Sequence, residues 1–262
     1  MNIELTGKKA LVCGSTQGIG KGIALELAKL GASVSLLARN EERLRAVKKE
    51  LEENSDQSHA ILIADFSDPS QVKNVVNQHL PKIGTHHILI NNTGGPPSGP
   101  LIEATPEDFL KAMEMHLICN QLLVQAVLPG MKAAGYGRIL QVISSSVKEP
   151  IPGLGVSNTT RGAVAAWGKT LAGELGRFGI TVNNLLPGFI ETERLYYVIG
   201  QRAEKAGCSI EEMANQLKAT VPMTRFGRVN EIAQVAAFLC SPAASYVTGT
   251  NVMVDGGKTK TY

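Results

Sequence analysis

Short apolar runs alternate with longer amphipathic stretches along most of the chain. Ala10–Cys13, Val34–Leu37, Ala60–Ala64, Ile88–Asn91, Ile139–Ile143 and Thr181–Leu186 are β-branched or leucine-rich and closed by Gly, Asn, Asp or Pro. Apolar runs without polar alternation predict strands buried on both faces. Between them, helices announce their starts. Asn40 stands before Glu41-Glu42, and Asp68-Pro69-Ser70-Gln71 sets an N-cap, a first-turn proline and a capping-box glutamine in order. Thr105-Pro106-Glu107-Asp108 repeats the device with an aspartate. The pattern predicts a helix from about Lys21 to Leu30 and longer ones over Thr105–Lys132 and Ser157–Arg177. Six strands joined by helical crossovers make a doubly wound parallel α/β sheet with helices on both faces. Asn251–Val254 adds a seventh strand.

One stretch breaks the rhythm. Residues 193–219 are helical in pattern but charged, with Gly200 and Gly207 as interruptions and Ser209-Ile210-Glu211-Glu212 as a fresh capping box. Following the sixth strand, this insertion belongs over the carboxyl ends of the strands. No Pro/Ser linker or repeat divides the remainder. The expectation is one domain over residues 1–262 with a small helical lid.

Composition narrows the classes of function. Of 262 residues, 44 % are hydrophobic and 19 % charged, enough for a sizeable core and too apolar for disorder. The 26 basic and 23 acidic residues leave +3 with no Lys/Arg run, which argues against nucleic-acid or membrane partners. Cys13, Cys119, Cys208 and Cys240 are scattered without a C-x-x-C pair, and His86-His87 lack metal-ligand spacing. Neither a metal site nor a disulfide framework is expected, and reduced thiols suit a cytoplasmic protein. No apolar run reaches spanning length, and Met1–Gly7 leads straight into a strand-like run rather than a signal-peptide pattern.

The first strand runs into Gly14-Ser15-Thr16-Gln17-Gly18-Ile19-Gly20 and then a helix. Glycines at a strand-to-helix turn let backbone approach a pyrophosphate, whose charge the helix N-terminus favours. The second strand ends in Ala38-Arg39-Asn40, without the acid that bonds a ribose 2′-hydroxyl in NAD sites. Arg39 suits a 2′-phosphate through a charge-assisted fork. The cofactor expected is NADP, with NAD the alternative.

The glycine loop, Asp65 after the third strand, Asn91-Asn92-Thr93-Gly94 after the fourth and Pro187-Gly188 after the sixth form a set. Pro222-Met223-x-Arg225-Phe226-Gly227 and Val254-Asp255-Gly256-Gly257 extend it to nearly the whole chain. It resembles the short-chain dehydrogenase/reductase family, in its 3-oxoacyl-acyl-carrier-protein reductase-like form, with a Rossmann-type fold. The resemblance implies that Gly14, Ser15, Gln17, Gly18, Ile19 and Gly20 cradle the cofactor and that Asp65 contacts adenine. It also implies that Asn91 and Gly94 support the cofactor strand, while Pro187, Gly188 and Thr192 hold the nicotinamide end. A small-molecule carbonyl or alcohol substrate and a homotetramer follow from the same likeness. For the tetramer, Leu122, Val164 and Trp167 are the apolar helix positions available to an interface.

The family's catalytic tetrad is Asn, Ser, Tyr and Lys, and three of these positions differ here. Serine is retained as Ser144, with Ser145 one residue on. Thirteen residues after Ser144, the tyrosine position holds Ser157; four further, the lysine position holds Arg161. The asparagine position, ten residues before Ala126, holds His116. A phenol with a pKa of about 10 is brought towards neutrality by a nearby cation, whereas an aliphatic hydroxyl starts several units higher. Arg161 cannot give up its proton but could clamp ribose hydroxyls. His116 is the one group there whose ordinary pKa permits proton exchange near neutrality. Two readings remain open: an oxidoreductase with a non-standard proton path, or a catalytically silent nucleotide-binding protein acting as sensor or assembly partner.

Overall fold

The computed structural model, which describes residues 1–261, gathers the apolar runs into one seven-stranded parallel sheet. Its strands are β1 (Lys9–Cys13), β2 (Ser33–Ala38), β3 (Ala60–Ile63), β4 (Ile88–Asn91), β5 (Gly137–Val142), β6 (Ile180–Pro187) and β7 (Asn251–Val254). Their spatial order is β3-β2-β1-β4-β5-β6-β7, so the chain winds outward from β1 and then returns to wind the other way. Val12 of β1 lies beside Leu36 on one side and Ile90 on the other. The reversal between β1 and β4 opens a crevice at the strands' carboxyl ends, the place where such sheets take ligands.

The helices are α1 (Gly18–Lys29), α2 (Glu41–Asn54), α3 (Pro69–Ile83), α4 (Pro106–Met113), α5 (Cys119–Ala134), α6 (Gly155–Leu175), α7 (Glu193–Ala206), α8 (Ile210–Ala219) and α9 (Val229–Cys240). One face of the sheet is covered by α1, α2 and α9 through Ile23, Leu27, Leu44, Val47 and Ile232. The other is covered by α3, α5 and α6 through Val72, Val76, Leu123, Val127 and Leu175. Each such side chain, fully buried, contributes roughly 1.5–3 kcal/mol. A Cβ on Gly22 would lie 2.2 Å from Val229 Cγ1, so α1 and α9 meet through a glycine.

The capping signals hold with one exception. Asn40 accepts from the Arg43 N–H at 2.9 Å, and both the Thr105–Asp108 and Ser209–Glu212 capping boxes close. Gln71 does not reach back to its N-cap; its side-chain oxygen accepts from Asp65 N–H at 2.9 Å and pins the end of β3 instead. Three other expectations are corrected. The helix over Thr105–Lys132 is two helices, because a π-helical turn at Glu114–Ile118 separates α4 from α5. Gly200 lies inside α7, and only Gly207, at φ +65°, ends it. Val164 is buried against Ile143 and Leu186 in the chain's own core and has no surface to offer a second copy. The α7–α8 pair carries a small core of its own from Ile199, Ala203, Met213, Ala214 and Phe226.

Candidate active site

The loop after β1 closes only because of its glycines. Gly14 and Gly18 sit at φ +57° and +54°, in the left-handed region. A Cβ on Gly14 would lie 2.6 Å from the Asn92 carbonyl oxygen, and one on Gly20 only 2.2 Å from the Gly14 carbonyl oxygen. The first turn of α1 thus folds back onto the end of β1, while the loop after β4 closes over both. Asn92 Nδ2 donates to the carbonyls of Cys13 and Gly14 at 3.2 and 3.3 Å. Gln17, the N-cap of α1, makes no capping bond, and no acid lies in the helix's first turn. The positive end of the helix dipole is left for an anion. Ser15 Oγ is buried in this loop with no hydrogen-bond partner among the described residues, and Ile19 anchors the turn against the core below α1. An orphaned hydroxyl inside a glycine cradle fits a phosphate oxygen.

At the far end of the crevice, the Arg39 guanidinium lies 3.5 Å from Asp65 Oδ2. The Ser67 N–H, with help from Arg39, holds the Asp65 carboxyl below its ordinary range. Arg43, in the first turn of α2, donates to the Gln17 side-chain oxygen and joins this group. In the sequence Arg43 does not stand out, because an exposed arginine on a charged helix looks like any solvated one. Its position one turn from Arg39 was the available signal.

The opposite end of the crevice, where the sequence places the candidate catalytic residues, is built from the loops after β4 and β5 and from α6. Ser144 caps the short turn Ser145–Val147, its hydroxyl accepting from Ser146 N–H at 3.1 Å. Ser157 is half-buried in α6, and one turn on, Arg161 runs beneath the loops. Its guanidinium donates to the carbonyls of Val142 at 3.1 Å and Thr93 at 3.4 Å. Burial without a facing acid lowers its pKa to about 10, which still leaves it cationic at neutral pH. His116 lies on the π-helical turn, an irregularity that recurs at functional sites. Its Nδ1 is 2.5 Å from Thr93 Oγ1, and its buried Nε2 has no hydrogen-bond partner among the described residues. Burial first, and then the Arg161 charge, lower its pKa to about 2. Arg161 and His116 therefore meet across Thr93, one on its carbonyl and the other on its hydroxyl. Asn91 lies behind them, donating to Gln141 Oε1 at 2.9 Å, an oxygen that Asn120 shares at 3.2 Å. The sequence motif contained Thr93 and Asn92 without assigning either a part.

The start of α7 touches the glycine loop. Gly188 N–H donates to Val254 O at 3.0 Å, and a Cβ there would lie 2.6 Å from Asp255 Cβ. Pro187 ends β6 directly before it. Thr192 caps α7, accepting from Leu195 N–H at 3.2 Å, and its Cγ2 would lie 3.2 Å from a Cβ on Gly18. Gly94 is exposed in the run that faces α7. Arg194 donates to the Pro96 carbonyl at 3.3 Å, and Ser98 donates to Gln201 at 3.4 Å, tying that run to α7. Trp167 bonds Gln121 at 2.9 Å and joins α6 to α5 away from the crevice.

Fold and site together define a nicotinamide-type oxidoreductase framework. The chain matches the Enoyl-(Acyl carrier protein) reductase family model over residues 14–259 and belongs to the short-chain dehydrogenase/reductase family of oxidoreductases. It is 33 % identical to a tropinone reductase homolog of Arabidopsis thaliana over 98 % of this chain and 91 % of that protein. Identity to the NADPH-dependent reductase BacG of Bacillus subtilis is 30 %, over 98 % and 99 % of the two chains. L-sorbose reductase from Gluconobacter frateurii, solved with NADPH and L-sorbose, superimposes with a TM-score of 0.94 at 31 % identity and covers both chains fully.

Proposed function

We propose that this chain is an NADP(H)-dependent oxidoreductase that interconverts a carbonyl and an alcohol by a proton path without a phenol. The observation that carries the reading is the glycine cradle, with the unpartnered Ser15 hydroxyl beneath the uncapped end of α1. In this reading Gly14, Ser15, Gln17, Gly18, Ile19 and Gly20 hold the pyrophosphate, Arg39 the 2′-phosphate and Asp65 the adenine. Asn91, Gly94, Pro187, Gly188 and Thr192 seat the nicotinamide half, and α7 with α8 acts as the lid. NADPH in the sorbose reductase structure and in the naming of BacG supports the cofactor choice.

The nicotinamide, when bound, supplies the hydride. Ser144 orients the substrate oxygen, and Arg161 provides a fixed positive charge beneath it. Ser157 occupies the phenol's position without a phenol's acidity. His116 stays neutral and contributes a hydrogen bond rather than a full charge. A homotetramer in the cytoplasm completes the reading. Exposed Leu110 and Ile118, on α4 and the turn after it, join the half-buried Leu122 and Trp167 as its apolar contact surface.

The test is to titrate purified protein with NADPH and NADH and then follow NADPH oxidation against a panel of small ketones, aldehydes and hydroxyketones. Preferential NADPH binding with turnover on a panel member supports the proposal. Tight NADPH binding with no oxidation anywhere on the panel supports the silent nucleotide-binding reading, which the serine and arginine at positions 157 and 161 favour.

A further inference from the structure

Three histidines stand at the amino ends of the strands, on the edge of the sheet away from the crevice. His59 comes just before β3, and His86 and His87 come just before β4. A backbone N–H can only donate and a carbonyl can only accept, so a ring nitrogen bonded to either has its hydrogen assigned. Val34 N–H, in β2, donates to His59 Nδ1 at 3.1 Å, and Lys9 N–H, at the head of β1, donates to His87 Nδ1 at 3.1 Å. Both nitrogens must present a lone pair, so both rings carry their hydrogen at Nε2. At His59 the rest of the chain of bonds agrees: Nε2 lies 2.8 Å from Ser55 Oγ, whose own hydrogen goes to the Leu51 carbonyl at 2.8 Å. His86 is the reverse case. Its Nδ1 gives its hydrogen to the Gly84 carbonyl at 3.0 Å, and its Nε2 accepts from the Ser35 hydroxyl at 2.9 Å. His87 N–H in turn donates to the Lys9 carbonyl at 2.8 Å, so residues 87 and 9 exchange two bonds.

We propose that His59 and His87 form an acid-release latch at the amino ends of β1 and β2: each holds a backbone N–H of a neighbouring strand while neutral and lets it go when protonated. A protonated Nδ1 would point an N–H at an N–H and leave the strand's amide without an acceptor. His86 has no such part, because the Ser35 hydroxyl can accept from a protonated Nε2 as well as donate to a neutral one. The surroundings keep the latch closed at neutral pH. His87 lies beside Lys8 and Lys9 and packs edge-on against Tyr136, whose ring also carries Lys8 and Arg138. Burial first, then the two lysines, hold its pKa below the ordinary value. Burial lowers that of His59 too, with Glu52 of α2 opposing the fall and Lys48 adding to it. Burial, with Lys9 and His87 nearby, brings His86 to about 4. Below 6.5 the unfolded rings take protons that the folded ones refuse, so the stability they contribute is complete above that pH and is lost as the pH falls. The same two strands carry the glycine loop and Arg39 at their other ends. The latch is independent of the reaction proposed for the crevice.

Nitrogen-15 NMR of the full chain tests this, with His59→Asn and His87→Asn assigning the two rings. At pH 7.5 both should be Nε2–H tautomers and His86 the Nδ1–H tautomer. Each latch Nδ1 should show a scalar coupling across its hydrogen bond, to the backbone nitrogen of Val34 or of Lys9. As the pH falls, each coupling should vanish with the protonation of its own ring. Urea unfolding gives a second readout, because asparagine sets a carbonyl oxygen in the place of Nδ1 and does not titrate. His59, His86, His87 and His116 all have lowered pKa values, so the double variant should lose about half of the wild type's fall in unfolding midpoint between pH 6.5 and 5. If the double variant does not fold, each single variant should lose about a quarter. An Nδ1–H tautomer at His59 or His87, a missing coupling at pH 7.5, or an unaltered pH dependence in the variants overturns the proposal.

Discussion

Two arginines stand at opposite ends of the same crevice and work by different physics. Arg39, 78 % exposed, pairs with Asp65 at the surface. Arg161, 7 % exposed, meets the carbonyls of Val142 and Thr93 and faces no acid among the described residues. In water, a charge like Arg39's is screened over about 8–10 Å at ordinary ionic strength. Arg161 acts where solvent does not screen it, and its charge adds to burial, the larger cause, in lowering the His116 pKa to about 2. An exposed arginine suits a phosphate through short, charge-assisted hydrogen bonds rather than through a field that carries far. The buried one adds a charge that opposes a second positive charge at His116, where burial already does so.

The sharpest way to break the cofactor half is Gly20→Ala. A Cβ 2.2 Å from the Gly14 carbonyl oxygen would push the first turn of α1 off the end of β1. NADPH affinity measured by fluorescence titration should fall about a hundredfold, or roughly 2.7 kcal/mol, while circular dichroism stays native. Affinity within threefold of wild type would mean that this loop does not seat the pyrophosphate.

The reaction half can be rewritten rather than broken. Ser157→Tyr with Arg161→Lys restores a phenol beside a cation and should raise carbonyl reduction at least about tenfold if the backbone has kept the site's geometry. No gain with NADPH still bound would show a pocket remodelled beyond those two positions. At the other arginine, Arg39→Ala should weaken NADPH about tenfold in low salt, and by less in high salt, while leaving NADH nearly unchanged. An equal loss for both cofactors would remove the 2′-phosphate assignment.

These two halves also differed in how far the sequence disclosed them. The seven strands and the glycine loop after β1 were readable because buried parallel strands and close backbone approach demand specific residue types. Gly14, Gly18 and Gly20 carry their reasons locally. The π-helical turn under His116 was not readable, since one inserted residue leaves no mark in an apolar pattern. The same holds for Gln71, whose side-chain oxygen accepts from Asp65 N–H rather than from its own N-cap. Position 161 was readable as an arginine in the lysine's place, but its bonds to two carbonyls depend on loops brought together from β4 and β5.

A smaller effect sharpens the buried side further. With its folded pKa depressed from 6.5 to about 2, His116 stays neutral throughout the working range. Its contribution to stability is complete above pH 6.5 and is lost progressively as pH falls from there towards 2, because the unfolded ring accepts a proton that the folded ring refuses. The pH–rate profile should therefore show no limb near 6.5 from this residue. A limb there that disappears in His116→Gln would mean that the ring ionises in the working enzyme.

The most direct measurement is rapid mixing of NADPH-loaded protein with the carbonyl panel at pH 7, comparing wild type with His116→Gln. The account predicts NADPH oxidation by the wild type and at least about a tenfold slower step in the variant, with NADPH affinity unchanged. Equal rates in the two proteins would contradict it and return His116 to a packed helix residue.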